Sequence, residues 1–446
     1  MALINNRALA IAAALGLGST GEASALQTPD GCAPAPGPAA RVRPADPSTL
    51  KAVLATAHPG DVVRLSAGAY GAVVLKGANA GFVTVEGPGD HGATLSALTI
   101  IGRNWDVRGL TIAGLSSPAL AGQWPSHQPL VKIEAEDNVI LADNVIASRL
   151  GAFPWRAETP GTPDATPLSN GVSARNVACV TIEGNRISNV FNGVSVDGDQ
   201  VGDRGKHFRI TGNTIDNFAG DGIDHGVSDA LISGNLITNS HNICENKCIH
   251  TDGIQGWNYN DRQGIVNENV VIDGNTIIQQ AKPDLPLPAD DLHGITIFDG
   301  FWKNVRITNN IIVTDTYHGI ALGGIDGLLV ANNTVVGTSD RRTWILAGAR
   351  THEGGVSRNV TVINNIAVAV RPAPALGPGD NARFDHNFIL KDPAATFVVF
   401  DPKAGRFDLR LRRGSAARGV ATAEGAPERD IDGAQRTAPL NPGAYR

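Results

Sequence analysis

The feature that most constrains this chain is a short motif that recurs along most of its length. Two apolar residues separated by one position, two further residues and an asparagine appear as VILADN, VTIEGN, FRITGN, ALISGN, VVIDGN, VRITNN, LLVANN and VTVINN. The closing asparagines are Asn144, Asn185, Asn213, Asn235, Asn275, Asn310, Asn333 and Asn365. Successive asparagines lie 22 to 41 residues apart, a spacing typical of a solenoid whose loops differ in length.

Each repeat has the pattern of a short β-strand that ends in a turn. A strand this short cannot bury one face by itself, so the repeats must stack on one another. Leucine-rich repeats need a strict leucine spacing that is absent here, and propeller blades need a regular period of about forty residues. The repeats therefore predict an all-β parallel β-helix, with apolar side chains inside and asparagines stacked as a ladder.

Composition and charge exclude several classes of protein. The 446 residues are 42% hydrophobic and 18% charged with 52 glycines, which fits a turn-rich folded chain and not a disordered one. The net charge of -6 gives no basic surface for nucleic acid. After the N-terminus no apolar stretch is long enough to span a membrane. We also expect the protein to be a monomer.

The N-terminus has the order of a secretory signal. Arg7 precedes an apolar run from Ala8 to Leu17 and the small-residue pattern Ala23-Ser24-Ala25. We predict a signal peptide over residues 1–25, cleaved near Ala25, and a secreted or periplasmic protein. Residues 26–46, rich in proline and alanine, are predicted to form a leader.

Both ends of the remaining chain resemble a known superfamily. Residues 47–57 form a plausible amphipathic helix, and HPGDVVRLSAGAYG follows it with a turn and a strand. This segment resembles the capping helix and first coil of the pectate-lyase-like superfamily, especially its chondroitinase and alginate-lyase branch. The segments FDLRLRRGSAARG and NPGAYR are similar to the C-terminal coil and tail of many secreted bacterial members.

The resemblance implies a single-stranded, right-handed parallel β-helix with an N-terminal capping helix. The β-helix would cover residues 47–395, and a C-terminal coil and tail would cover residues 396–446. The reaction stays open, because this fold hosts lyases, hydrolases, epimerases and phage tailspikes.

A second element recurs between the asparagine strands, as NGVSV, DGIDH, DGIQG, HGITI and HGIAL. If its glycines are equivalent, the residues before them stack one strand spacing apart: Asn192, Asp221, Asp252, His293 and His318. Two positions after the glycines a second column holds Ser195, Asp224, Gln255, Thr296 and Ala321. Stacked carboxylates repel and raise one another's pKa, so this density of acidic and imidazole groups indicates a functional site.

Two structural explanations compete with a functional site. An aspartate before glycine can simply hydrogen-bond the backbone of its own turn. His225 occupies the phase at which neighbouring coils carry Val196, Ile297 and Leu322, so it can also face the core.

The predicted catalytic residues are His250, Asp252, Asp221, Asp224, His293, His318 and Tyr317. The predicted substrate-binding residues are His225, Gln255, Trp257, Asp291, Trp302, Lys247 and Lys303.

This set of residues supports three enzymatic readings. A polysaccharide lyase needs a base, an acid and a group that neutralises the uronate carboxylate, often Ca²⁺. His250, His318 or Tyr317 could exchange protons, Asp221, Asp224 and Asp252 could hold Ca²⁺, and Lys247, Lys303 or Arg306 could pair with the uronate. A C5 epimerase would use similar parts, and a glycoside hydrolase needs only two spaced carboxyls, such as Asp252 with Asp221 or Asp224.

Family motifs do not choose among these reactions. Asp290-Asp291 followed by His293-Gly294 matches the polygalacturonase set only in part, and the Asp-Pro-His of mannuronan epimerases is missing. The similarity of the N-terminal segment to the lyase branch favours a lyase acting on an acidic polysaccharide. A non-catalytic polysaccharide-binding or export protein is the alternative from a different class.

The segment CENKCIHTDGIQGW brings two cysteines close to His250 and Asp252. Only one histidine is near them at unsuitable spacing for zinc, and three residues separate the cysteines where a redox motif has two. We predict a local disulfide between Cys244 and Cys248 that holds the loop before Asp252.

Overall fold

The computed structural model describes residues 32–114, 128–151, 169–198, 204–240, 250–257, 264–283, 292–339, 343–376 and 379–446. Within these ranges, 31 strands form one continuous sheet that winds around an axis. Along most of the chain, each strand pairs in parallel with the strand three positions later, so one coil contains three strands. This all-β parallel solenoid confirms the architecture predicted from the repeats and is consistent with right-handed winding.

The first coils combine three long strands with four short ones. The long strands are β3 (Gly68–Glu86), β4 (Ala93–Arg108) and β6 (Pro129–Ala142), and the short ones are β1 (Arg41–Ala45), β2 (Asp61–Leu65), β5 (Thr111–Ala113) and β7 (Val145–Ala147). Strand β6 spans two sides of the solenoid, because its first half pairs with β8 (Asn170–Arg175) and its second half with β9 (Ala178–Glu183).

From β8 onward the coils present three faces, which are defined by their strands. Face 1 consists of β8, β11 (Val194–Asp197), β14 (Ile223–Gly226), β17 (Thr251–Trp257), β20 (Leu292–Asp299), β23 (His318–Gly323), β26 (Trp344–Ala349) and β29 (Ala369–Pro372). Face 2 consists of β9, β12 (Lys206–Thr211), β15 (Ser228–Ser233), β18 (Val266–Asp273), β21 (Phe301–Thr308), β24 (Ile325–Ala331), β27 (Arg358–Ile363) and β30 (Ala382–Asp385). Face 3 consists of β10 (Arg186–Val190), β13 (Thr214–Phe218), β16 (Leu236–Ser240), β19 (Thr276–Ile278), β22 (Ile311–Thr314), β25 (Thr334–Gly337), β28 (Ile366–Ala367) and β31 (Phe388–Ile389).

The N-terminal helix is shorter than the sequence pattern predicted. Within the described residues 47–57, helix α1 covers Leu50–Leu54 and lies between β1 and β2, with Leu50 in the core. Strand β1 precedes it and falls within the predicted leader. A longer capping helix is therefore not shown. In the described ranges no helix is both long and apolar enough to cross a bilayer.

The predicted asparagine ladder runs through the interior at the turn between faces 2 and 3. From Asn185 onward, the Oδ1 of each side chain accepts hydrogen bonds from the backbone N–H and the Nδ2 of the preceding ladder asparagine, as Asn235 does from Asn213 at 2.9 and 3.0 Å. Its own Nδ2 then donates to a carbonyl of the preceding coil, as Asn235 does to Ile210 at 2.8 Å. The structure adds a ninth member, Asn387, at the C-terminal end. Because these amides are buried, each depends on the next coil for its partners.

The residue before each ladder asparagine explains why the motif ends in DN, GN or NN. Asp143, Gly234 and Asn309 have positive φ values of 50°, 64° and 55°. Glycine, asparagine and aspartate tolerate this left-handed conformation better than other residues do. The turn between faces 2 and 3 therefore selects the residue types that made the repeat visible in the sequence.

The C-terminal segment covers the outer side of face 3. Helix α2 (Pro393–Thr396), a 3-10 helix (Pro402–Ala404) and the antiparallel strands β32 (Phe397–Asp401) and β33 (Arg406–Leu411) follow the solenoid. Phe397 and Leu409 pack with Ile311 and Val313 in a second apolar cluster. The buried Arg436 donates from Nη2 to Asn309 Oδ1 at 2.8 Å. The tail thus occupies a side of the solenoid other than face 1.

One disulfide joins Cys32 to Cys179, 147 residues away at the start of face 2. The described part of the chain holds no free cysteine. Cys244 and Cys248 lie outside the described residues, so a bond between them stays a prediction.

Removal of one ladder side chain should destabilise the whole solenoid. Asn235→Ala leaves the buried Asn213 N–H, the Ile210 carbonyl and part of Asn275 without partners, so we expect the free energy of unfolding to fall by about 3 kcal/mol. Urea denaturation followed by circular dichroism measures this change. The control Asn79→Ala, where a partly exposed side chain donates only to the Arg103 carbonyl, should change it by less than about 0.5 kcal/mol. Equal losses in both variants would contradict the role of the ladder.

Candidate active site

The outer side of face 1 carries the second polar column as the sequence predicted. The strand register aligns Ser195, Asp224, Gln255, Thr296 and Ala321. The same register continues the column to Leu346 and Arg371. Neighbouring positions are about 4.8 Å apart along the axis, which is the spacing of paired strands.

The glycines at the start of face 1 are required by close stacking of the coils. A Cβ atom on Gly222 would lie 2.6 Å from the carbonyl oxygen of Gly253, and one on Gly294 would lie 2.1 Å from that of Gly319. Both distances are shorter than real Cβ contacts allow. The glycines therefore fix the position of the residue before them, which is where the first polar column lies.

Part of the first polar column is a backbone ladder. The Asp221 N–H donates to Asn192 Oδ1 at 2.9 Å, and the Asp252 N–H donates to Asp221 Oδ1 at 2.9 Å. Asn192 itself donates from its backbone to Asn170 Oδ1 at 3.2 Å. Asp221 thus has a structural role, but its carboxylate binds the backbone of the next coil and not that of its own turn.

The carboxylate of Asp252 does not continue this ladder, and it forms the centre of the site. Its fully buried carboxylate accepts hydrogen bonds from His250 Nδ1 at 2.8 Å and Thr296 Oγ1 at 2.7 Å, and His293 Nδ1 lies 3.3 Å away. Burial by itself would raise the pKa of Asp252, but the hydrogen bonds from the two histidines outweigh burial and hold this pKa well below its usual range. A buried, ionised carboxylate between two imidazoles results.

His250 presents the other side of its ring to solvent. Its side chain is 58% exposed, and its Nδ1 is bound to Asp252, which leaves Nε2 accessible. The hydrogen bond to Asp252 raises the pKa of His250 more than partial burial lowers it. A carboxylate that orients an imidazole in this way prepares the free nitrogen to accept and return a proton.

Aromatic rings continue the site toward the C-terminal coils. The His293 ring stacks on His250 at 5.3 Å and meets the rings of Tyr317 and His318 at 5.6 and 4.9 Å between centroids. Trp344 donates from Nε1 to His318 Nδ1 at 3.1 Å, so the proton of a neutral His318 is on Nε2. Burial, helped by the nearby His293, lowers the pKa of His318 to about 4, so His318 is neutral near pH 7.

Two further carboxyl groups lie on the N-terminal side of Asp252. Burial, reinforced by the charges of Asp252 and Asp224, raises the pKa of Asp221 well above its usual value. Burial and the neighbouring Asp197 raise the pKa of Asp224 to about 7, although Ser195 donates to it at 3.4 Å. Face 1 therefore has protonatable carboxyls on one side of Asp252 and histidine, tyrosine and tryptophan rings on the other.

Two predicted substrate-binding residues belong to the core. His225 is fully buried in the solenoid, where Trp302 meets its ring at 5.4 Å and neither ring nitrogen has a hydrogen-bond partner. Trp302 is 1% exposed and donates from Nε1 to the Asp299 carbonyl at 2.8 Å. Both assignments were wrong, because alternation along a strand turns these two side chains inward; for His225, the core-facing alternative was right.

The other predicted ligands divide between two faces. Gln255 lies on the polar column, and Trp257, 41% exposed, ends strand β17 beside it. Lys303 and Arg306 lie on face 2, where Lys303 is in register with Glu268 and Asp326, so neither reaches face 1. Lys247 and Asp291 lie outside the described residues, and their roles stay predictions.

Sequence reasoning missed Trp344 and Arg371. Their segments lack the glycine motif that identified the five earlier coils, so the column predicted from the sequence ended at Ala321. Arg371 stacks its guanidinium 4.3 Å from the centre of the Trp344 ring. Continuing the same column for two more coils beyond Ala321 would have led to both residues.

The positions of the donor atoms show which described residues could together hold a metal ion. In the described chain, two sets of three side chains bring one ligand atom each within 4.8 Å of one another: His250, Asp252 and His293, and Asp299, His352 and Glu353. Asp221, Asp224 and Asp252 do not form such a set, and Asp221 and Asp252 already accept hydrogen bonds. Ca²⁺ takes about six to eight oxygen ligands, and a Ca²⁺ requirement stays a prediction that chelation would test.

Comparisons with known proteins give only distant structural likeness. No family model and no curated protein matches the chain. Similar solved structures include the pectate lyase Pel9A, with 12% identity over 92% of this chain and 96% of that one, at a TM-score of 0.48. A mannuronic-acid-specific family 6 lyase from human gut microbiota has 15% identity, 84% and 92% coverage and a TM-score of 0.46. The A-module of a mannuronan C-5 epimerase from Azotobacter vinelandii has 15% identity, 76% and 93% coverage and a TM-score of 0.44. At these values the likeness carries no argument about activity.

The buried His225 should make the protein acid-sensitive. Burial lowers the pKa of His225 to about 4 from 6.5, so as the pH falls the unfolded chain takes up this proton first. The free energy of unfolding therefore has its full value above about pH 6.5 and falls by about 3 kcal/mol as the pH approaches 4. In His225→Phe this part of the pH dependence should disappear from urea denaturation curves. The exposed control His58→Gln should keep the wild-type slope, and an unchanged slope in His225→Phe would refute the assignment.

Proposed function

We propose that this protein is a polysaccharide lyase that cleaves a uronic-acid-containing polymer by β-elimination on the outer side of face 1. The observation that carries the proposal is the exposed imidazole of His250, oriented through Nδ1 by the buried carboxylate of Asp252. This pair leaves one accessible nitrogen for proton transfer, which is the first requirement of the reaction.

The elimination needs two proton transfers, one from C5 and one to the oxygen that leaves C4. His250 Nε2 takes the proton from C5 of the uronate, the bond between C4 and the bridging oxygen breaks, and a double bond forms between C4 and C5. The hydroxyl of Tyr317, whose side chain is 44% exposed beside His293 and His318, protonates the leaving oxygen. Solvent then removes the proton from His250 and restores that of Tyr317.

His318 supports the charge that develops on the uronate carboxylate. Its Nδ1 accepts from Trp344, so its Nε2 is a donor, and its lowered pKa of about 4 keeps the ring neutral. A fixed donor next to a developing negative charge stabilises the transition state without reorganisation. His293 completes the cluster by holding Asp252 between two rings.

A glycoside hydrolase is the second candidate, and Asp224 favours it. A carboxyl with a pKa raised to about 7 can act as a general acid at neutral pH, and Asp221 is similarly shifted. Asp252, however, is buried and already engaged by three side chains, which disfavours it as the second carboxyl. For this reason the lyase is the primary proposal.

Export of the protein rests on the predicted signal peptide. The disulfide between Cys32 and Cys179 supports it, since such bonds persist in oxidising compartments. A polymer outside the cell is the kind of substrate that such an exported protein would meet.

Replacing Asp252 should abolish turnover while keeping the shape of the site. Asp252→Asn removes the charge that orients His250, so we expect activity to fall by at least about 100-fold. The assay is the ultraviolet absorbance of unsaturated uronate products from a panel of acidic and neutral polysaccharides. Asp326→Asn on face 2 is the control and should keep wild-type activity. Reducing ends without unsaturated product would indicate a hydrolase, a changed uronate without cleavage an epimerase, and binding without turnover a non-catalytic protein.

The pH profile should report His250. As a base it must be deprotonated, and the hydrogen bond to Asp252 raises its pKa above 6.5, so kcat/KM should rise with pH and reach half of its maximum above that value. In Asp252→Asn the residual activity should reach its half-maximum at a lower pH, because the raising interaction is gone. An unshifted profile in this variant would exclude His250 as the base.

A further inference from the structure

Arg371 occupies the C-terminal end of the same outer column that carries Asp224 and Thr296. It lies on β29, in register with Leu346 on β26, which in turn pairs with Ala321 on β23. Strand β29 is therefore two strand spacings, about 10 Å, beyond the strand that bears His318. A sugar next to Arg371 is not the sugar whose C5 proton His250 removes.

Trp344 connects Arg371 to the proton-transfer cluster. One edge of its indole donates to His318 at 3.1 Å, its face lies 4.3 Å from the Arg371 guanidinium, and Tyr317 is 5.2 Å from its centre. Stacking on an aromatic face restrains a guanidinium but uses none of its N–H donors. The guanidinium of Arg371 is thus held in place, and within the described residues no hydrogen bond engages its donors.

The charges along face 1 leave Arg371 available to an anion. In the described part of the chain no carboxylate lies within ion-pair distance of Arg371, whereas exposed arginines such as Arg383 and Arg410 are paired. Asp197, Asp221 and Asp224 lie at the opposite end of the face. A polymer with a carboxylate on each sugar would be held by its anionic groups at the Arg371 end.

We propose that Arg371, stacked on Trp344, is a subsite that binds the carboxylate of a uronate residue other than the one being cleaved. The planar guanidinium can form two parallel hydrogen bonds to a carboxylate, which a lysine cannot reproduce. This assignment rests on the proposed function for its polymer, and it makes Arg371 a determinant of specificity for acidic chains.

Binding measurements test the subsite separately from turnover. His250→Gln is the background, so that the ligand is not consumed, and the probes are hexamers of galacturonate and of mannuronate with their carboxyl-reduced counterparts. Adding Arg371→Gln should raise the Kd for at least one acidic hexamer by about tenfold or more and leave the Kd for the reduced hexamers unchanged. Arg371→Lys should recover only part of the loss. Arg306→Gln on face 2, a matched arginine away from the column, should have no effect.

The outcomes separate this proposal from the lyase assignment. Equal loss of affinity for acidic and reduced hexamers would mean that Arg371→Gln only disturbs Trp344, and unchanged affinity for both acidic hexamers would remove the subsite; either overturns the proposal. If the wild-type protein yields unsaturated product while Arg371→Gln binds normally, the lyase stands and the subsite fails. If no polymer is cleaved but the charge-selective loss is found, the subsite stands and the lyase fails.

Discussion

The structure depends on one repeated interaction, the hydrogen bonding of each coil to the next through parallel strands and buried asparagine side chains. An asparagine such as Asn235 satisfies both its Oδ1 and its Nδ2 only if the coils on either side are in the same register. A slip by one residue would leave these amides unpaired in the core and turn the apolar side chains outward. The ladder therefore fixes the register of every strand that follows.

A fixed register turns a sequence position into a place on the surface. Residues at one phase of face 1 stack at the strand spacing, so groups that are 22 to 41 residues apart in sequence become neighbours, as Ser173 with Ser195 and Gln255 with Thr296 show. Part of the first column uses this stacking for structure, since Asn192 and Asp221 accept backbone N–H groups. The proposed proton-transfer cluster begins where the column changes from aspartate to histidine, because Asp252 there contacts the imidazoles of His250 and His293.

The local pattern predicted the columns better than it predicted individual side chains. Asp224, Gln255 and Thr296 could be placed because the glycines before them mark an equivalent point on each coil. His225 and Trp302 were misplaced because a reactive or aromatic residue type outweighed the inward phase of its strand. Lys303 was misplaced because a short turn at Gly300 carries the chain onto face 2 within a few residues.

The sequence by itself determined the stacking of coils, the asparagine ladder and the identity of the two polar columns, because these depend on periodicity and on turn residues that a chain displays locally. Only the tertiary structure decided which groups share a proton or a charge. The hydrogen bond from His250 to Asp252, the tautomer of His318 and the stacking of Arg371 on Trp344 depend on side-chain directions across different coils. Those directions are set by packing between neighbouring strands, and no spacing along the chain encodes them.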